Sequence, residues 1–395
     1  MRGALRVLHV ISSISLVRGG PSVAVRNIAK ALHRRGLEVD VATTDDDGED
    51  HRLDVPLDRF MPLEGQRVRY FPRQWRRYCA SYPLQSWLRR HIRDYDVVHV
   101  HGLFSFAPVT AAWHARAAGV PYIMRPAGVL DTWGMTNKSR LVKKTSLALV
   151  DGPLLAGAAA VHFMTDLERQ RAAELALSVR PVVLPLGFDF HAQEPPQPLE
   201  SLRLEGERVV LYVARIHRIK CVDVLLRAFA GLPAEPSAVL WIAGDGDRSL
   251  VSELQRLAAQ LGLAERVRWL GFANGPLKRS LLSRATVFAL PSASENFGVA
   301  VVEAMHAGLP VVVTRGCGLA SLVESAGAGV VTDGSVEALR AALHRMLIDP
   351  SLSRSMGAAG RRSVERELSL DAFGARLEDL YRSVLSPGPL LKAAT

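Results

Sequence analysis

The chain has 395 residues, 48% of them hydrophobic and 22% charged, with a formal net charge of +10. That length and balance describe a globular protein of two or three domains with ample core, and the positive charge favours an anionic partner: nucleic acid, acidic lipid or a phosphorylated small molecule. The three cysteines, Cys79, Cys221 and Cys317, lie far apart without a C-x-x-C spacing; this excludes a disulfide framework or a zinc site and fits a reducing cytosol.

The N-terminal stretch "MRGALRVLHVISSISLVRGG" is interrupted by Ser12, Ser13 and Ser15 and offers no A-x-A site, so it reads as a strand entering a loop rather than a signal peptide. A helix follows from about Ser22 to Arg35, then the strand "GLEVDVATT" and a turn, "TDDDGED", expected to be solvated. Between Arg67 and Arg93, basic residues interleave with Tyr70, Phe71, Trp75, Tyr78, Tyr82 and Trp87. That pattern suits single-stranded nucleic acid, an anionic membrane or a lipid-diphosphate, and equally a half-buried helix with a solvated arginine face. "DVVHVHG" and "VPYIMRPAG" are further strands. No run of about 18 uncharged apolar residues occurs, since Asp151, Gly152 and Pro153 break the best candidate.

"AQEPPQPLES" lacks periodicity and reads as a linker. Beyond it the alternation restarts with "RVVLYVAR", "AVLWIAGDGD", "RVRWLGF", "TVFALPS" and "PVVVT", separated by helical stretches. Strand–helix alternation implies parallel sheets covered on both faces. The expected division is therefore an α/β domain over 1–190, a linker over 191–203, a second α/β domain over 204–369, and a final helix over 370–386. Ligands of such sheets bind beyond the carboxyl ends of the strands, and a cleft between two of them would touch both.

Chemistry is carried by a few short stretches. In "VRGGPS", Gly19 and Gly20 either let backbone approach a diphosphate or an acceptor, or serve a tight turn. Arg215 and Lys220 follow the first strand of the second domain, either as cations for a leaving phosphate or as a solvated basic loop. The stretch "SASENFGVAVVEAMHAGLPVVVT" holds Glu295 and Glu303 in apolar surroundings, where unpaired carboxylates are costly. Two carboxylates suit the hydroxyls of a ribose and a hexose, and the helix beginning near Phe297 and Gly298 can receive phosphate oxygens. A first-turn acid and a buried salt bridge is the plainer alternative. His101 stands at a strand's carboxyl end, as a site residue or as a packing one, and Arg125 and Asp131 follow another strand as candidates for acceptor contact.

Together, "ARIHRIK", "IAGDGD", "VRWLGF" and "VFALPSASENFGVAVVEAMHAGLPVVVT", with "GGPS", "VVHVHG" and "PLGFD", resemble the family-4 retaining glycosyltransferases over nearly the whole chain. The resemblance implies a GT-B fold: two facing Rossmann-like domains with parallel sheets, and a C-terminal helix crossing back to the first. It implies that Glu295 holds the donor sugar, with Asn296, Phe297 and Gly298 offering backbone contacts, and that Glu303 holds the nucleotide ribose. Arg215 and Lys220 would neutralise the diphosphate, His101 would sit beside the reacting sugar, and Gly19 and Gly20 would line the cleft. One departure stands out: the family's glycine after the lysine is Cys221 here.

The expected activity is retaining transfer of a hexosyl unit from a nucleoside-diphosphate sugar to a glycan or lipid-linked acceptor, in exopolysaccharide or lipopolysaccharide assembly. No cofactor and no metal are expected. The expected location is the cytoplasm, with the inner face of the cytoplasmic membrane as a docking surface; "KSRLVKK" (138–144) points the same way. The competing readings are a sugar-nucleotide epimerase or phosphorylase on this fold, and a basic nucleic-acid-binding protein, for which no recognised motif is present.

Overall fold

The computed structural model describes residues 4–48, 51–130, 140–190, 206–233 and 237–386. The chain forms two compact units, Met1–Asp189 with Leu368–Thr395, and Phe190–Glu367. The linker expected over 191–203 lies outside the described residues.

The first unit is built on β1 Arg6–Ile11, β2 Glu38–Thr44, β3 Phe60–Leu63, β4 Gln66–Phe71, β5 Val97–His101, β6 Tyr122–Arg125, β7 Ala160–Phe163 and β8 Pro181–Val183. They lie in the order β3-β4-β2-β1-β5-β6-β7-β8. All pairs are parallel except β3 with β4. β1 is buried along nearly its whole length, which is why "RVLHVI" shows no polar alternation. Helix Gly20–Arg34 and the C-terminal helix Leu370–Leu385 cover one face, with Val25, Ile28 and Leu32 sharing a core with Phe373, Leu377 and Tyr381. Arg35 donates to Glu378 between these two helices. Helices Tyr82–His91 and Phe106–Ala118 cover the other face.

Two stretches differ from expectation. The basic aromatic segment begins as β4, whose Val68, Tyr70 and Phe71 point into the core. Arg67 makes a two-pronged contact with Asp40 at 2.7 and 2.8 Å, and Arg69 lies over the rings of Phe60, Phe71 and Trp87. Those guanidinium groups serve strand packing, and Trp87 is interior as well. Trp75, Tyr78 and Tyr82 alone of the six aromatics are exposed, at 63%, 47% and 50%. The acidic turn, as far as it is described (to Gly48), is likewise not solvated. Asp45 and Asp46 are buried, and Asp46 accepts from Arg18 at 2.7 and 2.8 Å and from Arg73. A carboxylate is held there because two arginines from sequence-distant segments converge on it, and they keep its pKa below the ordinary value against the opposing effect of burial.

The second unit has β9 Arg208–Val213, β10 Ala238–Ala243, β11 Val267–Gly271, β12 Val287–Leu290, β13 Val311–Thr314 and β14 Gly329–Thr332. The order is β11-β10-β9-β12-β13-β14, all parallel. Strand order reverses between β9 and β12, as it does between β1 and β5 in the first unit, so each sheet opens a crevice at its carboxyl edge. Among the described residues no helix is long and apolar enough to cross a membrane.

Candidate active site

The crevice of the second unit gathers most of the residues singled out from the sequence. Beyond β9 the chain passes Arg215 and makes a short 3-10 turn over Arg218–Lys220. Cys221 then adopts a left-handed conformation (φ 51°, ψ 45°) at the start of helix Val222–Ala230. That conformation costs an L-residue about 1 kcal/mol. The cysteine therefore keeps the backbone path a glycine would take, and the approach of Lys220 is preserved under strain.

Lys220 Nζ donates to Glu295 Oε2 at 2.5 Å, with the two side chains only 13% and 21% exposed. The backbone of Glu295 is held on both sides: its N–H donates to Gly316 O at 2.9 Å and its carbonyl accepts from Gly318 N at 2.8 Å. Gly298, at φ +100°, turns the chain into helix Val299–His306, two residues later than the sequence indicates. A side chain there would be strained and would press on Cys317 Sγ at 3.3 Å. Asn296 is half-buried on the same turn, and the ring of Phe297 is buried in the core, which leaves its main chain as the part available to a ligand.

Glu303 accepts from Lys278 Nζ at 2.6 Å through Oε1. Lys278, on helix Gly275–Arg284, escaped the sequence reading. The one local signal for it is its place in the first turn of the helix that follows β11. Gly244 and Asp245 belong to "IAGDGD"; a Cβ at Gly244 would lie 1.9 Å from Ala214 O, so only glycine lets these two strand ends run together. Arg215, Gly244, Asp245, Phe272, Lys278 and Glu303 line a cavity of about 610 Å³. Arg215 is exposed and has no ion-pair partner among the described residues, whereas each lysine is paired with a glutamate.

In the first unit, Gly19 (φ +72°) and Gly20 open helix Gly20–Arg34, and a Cβ at either would meet nothing within 4 Å. Asp131 lies outside the described residues. His101 and Arg125, at the ends of β5 and β6, are 2% and 1% exposed and belong to a buried basic network. Arg125 Nη1 lies 3.3 Å from His101 Nδ1. A guanidinium only donates, so His101 carries its proton on Nε2, which donates to His9 Nδ1 at 2.9 Å. A second chain starts at Leu184 O, which accepts from His162 Nε2 at 2.8 Å; His162 Nδ1 then accepts from His99 Nε2 at 3.4 Å, and His99 Nδ1 from Tyr381 OH at 2.8 Å. Both ring nitrogens of His101 are thus turned to internal partners.

Burial first, and neighbouring Arg125 and histidines second, depress these imidazoles: His9 and His162 to about 3, His99 and His101 well below the ordinary value. Burial also lowers Arg125 to about 10, which leaves it charged at neutral pH. His9, His99 and His101 bring ligand atoms within 4.8 Å of one another, the single metal-like group among the described residues. The Arg125 cation at 3.3 Å opposes a divalent ion there.

Two glutamate–lysine pairs and an unpaired arginine gather at the carboxyl edge of a doubly wound sheet, acceptors suited to hydroxyls beside cations suited to an anion. Residues 196–363 match the family described as glycosyl transferases group 1, and residues 19–187 match the glycosyl transferase 4-like domain. A D-inositol 3-phosphate glycosyltransferase of Thermobifida fusca is 32% identical over 87% of this chain and 83% of its own length. Another of that name, from Xylanimonas cellulosilytica, is 28% identical over 94% and 93%. Among solved structures, Anabaena HepE in complex with UDP-glucose superimposes with a TM-score of 0.72, at 20% identity, over 96% of this chain and 100% of that one. The chain belongs to the group 1, family-4-type glycosyltransferases, and its fold is GT-B.

Proposed function

We propose that this glycosyltransferase moves a hexosyl unit, with retention at the anomeric carbon and without a metal, from a nucleoside-diphosphate sugar to a hydroxyl of a glycan or lipid-linked acceptor. The observation that carries the reading is the pairing of each motif glutamate with a lysine, one of these pairs, Lys278–Glu303, lining the cavity that Arg215 enters as an unpaired cation. The glutamates accept from hydroxyls of sugar and ribose. Arg215, Lys220 and the N-terminus of helix Val299–His306 take the charge that develops on the leaving diphosphate. No side chain is assigned as a covalent nucleophile; the acceptor attacks on the face from which the diphosphate departs, and a donor phosphate oxygen takes its proton. The UDP-glucose named for HepE and the inositol phosphate named for the relatives support an activated sugar donor and a polyol acceptor. Screening UDP-, GDP- and ADP-sugars by calorimetry, then following the anomeric configuration of the product by NMR, tests this. One donor should bind, and the product should retain its configuration. Inversion, conversion without acceptor, dependence on free phosphate, or tight nucleic-acid binding with no donor binding would each replace the reading.

A cytoplasmic-face membrane setting, as in exopolysaccharide or lipopolysaccharide assembly, is part of the same proposal. It is supported by exposed Trp75, Tyr78 and Tyr82 beside exposed Arg76 and Arg77, and by Leu141 and Val142, exposed at 80% and 56% on the basic helix Arg140–Ser146. Vesicles containing anionic lipid should co-sediment the protein at low salt and release it at about 0.5 M, where screening is short-ranged. Equal binding by the Arg76→Gln, Arg77→Gln double variant would remove the basic surface from consideration; Arg73 is unsuited to this test because it is buried against Asp46.

A further inference from the structure

We propose that Lys278 is a positioning residue for nucleoside recognition, holding Glu303 in the one orientation that takes the ribose diol and so making the site selective for ribonucleotides. The inference rests on the donor reading above and adds a residue that the sequence pattern does not single out. Lys278 approaches from helix Gly275–Arg284 and occupies Glu303 Oε1 at 2.6 Å. Glu303 Oε2 has no partner among the described residues, and both side chains line the same cavity. An ionised carboxylate has about four acceptor positions. With one filled by the ammonium, the remainder stay open to two neighbouring hydroxyls, which is the demand of a cis-diol.

The side chains are 25% and 29% exposed, so the pair is wet enough to form without a large desolvation penalty. It is also enclosed enough to matter for orientation. Glu303 has three rotatable bonds, and without Lys278 it must be ordered by the ligand itself. That ordering belongs to binding and not to the chemical step, because the ribose lies away from the bond that breaks. The contrast with Lys220 is chemical. Lys220, assigned to the leaving diphosphate, pairs with Glu295, assigned to the reacting sugar, so changes there act on turnover. Lys278 pairs with the glutamate assigned to the nucleoside, so changes there act on donor affinity.

The experiment compares wild type, Lys278→Met and Lys278→Arg on UDP and on 2′,3′-dideoxyuridine diphosphate by calorimetry, or on the GDP pair if the donor screen returns guanosine. Lys278→Met should bind the ribonucleotide about 10-fold more weakly, the cost of ordering one freed side chain. The dideoxy analogue should lose less than about 2-fold, because the diol that Glu303 would hold is absent. Lys278→Arg should recover most of the loss. In steady state the variant should raise the donor KM with kcat within about 2-fold of wild type. Combining Lys278→Met with Glu303→Gln should add nothing to Glu303→Gln alone. Equal losses on the ribo and dideoxy nucleotides would overturn the inference and make Lys278 a direct phosphate or base contact, as would a fall in kcat with KM unchanged. A wild-type protein that binds no nucleoside diphosphate would instead remove the donor reading on which the inference stands.

Discussion

Replacing Glu295 by Gln should lower transfer about 100-fold while nucleoside-diphosphate binding holds within about 3-fold of wild type or tightens. The magnitude is that of removing one preorganised polar contact to a group on which charge develops. The direction on binding follows from the pair itself. Lys220 Nζ is committed to Glu295 Oε2 at 2.5 Å in the half-buried crevice. The amide keeps shape and volume but surrenders the charge, so the ammonium is released toward the pyrophosphate. The backbone clamp through Gly316 and Gly318 does not depend on the side chain, so the turn should persist. A kcat measured near wild type would mean that Glu295 is a structural partner of Lys220 and not a sugar ligand. A parallel loss of diphosphate affinity would mean that the pair acts as a unit in binding.

The first unit should be acid-labile from just below neutrality. His9, His99, His101 and His162 are buried beside Arg125, and the charged or titratable groups that bear on them are that arginine, one another and Tyr381, with Glu168 acting on Arg125 from a distance. In the unfolded chain each imidazole takes a proton near pH 6.5. In the folded chain His9 and His162 do so only near 3, and the other two well below 6.5. Above pH 6.5 both states are neutral and nothing is lost. Between about 6.5 and 3 the unfolded state binds protons that the fold excludes, so stability falls as pH falls. At pH 5.0 the loss is about 2 kcal/mol for each of His9 and His162, and the other two act with the same sign. Against a typical total of about 5–15 kcal/mol, this is a substantial loss of stability in mild acid. Urea unfolding at pH 7.5 and 5.0 measures it, and the histidine ring resonances of these four should not titrate over that range while the fold persists. Identical midpoints at the two pH values would show that the rings take up protons in the fold as they do in the unfolded chain, and would overturn the prediction.

The sheets were legible because parallel strands buried on both faces leave continuous apolar runs, as in "AVLWIA" and "VVVT", and those runs appear as β10 and β13. β3 and β4 were not. The arginines of β4 mimic a solvated or nucleic-acid-binding surface until Asp40 and the rings of Phe60, on β3, and Trp87 are brought beside them. The acidic turn misled for the same reason. Its charges look solvent-bound along the chain and are satisfied by Arg18 and Arg73, which only the fold delivers. Lys278 had no motif to announce it, and its carboxylate partner stands 25 residues away.

By itself the sequence determined the α/β class, the family, the placement of Glu295, Arg215 and Lys220 near strand ends and of Glu303 within the helix that follows, and the anomaly at Cys221, because each depends on local periodicity or on a contiguous motif. Tertiary structure alone decided which lysine serves which glutamate. It also decided that His101 and Arg125 face into a buried basic network rather than outward, and that Cys221 carries a left-handed backbone. Pairing and burial are relations between residues distant along the chain, set by how strands line up in a sheet and which helices cover it. A charge pattern read in one dimension does not contain them.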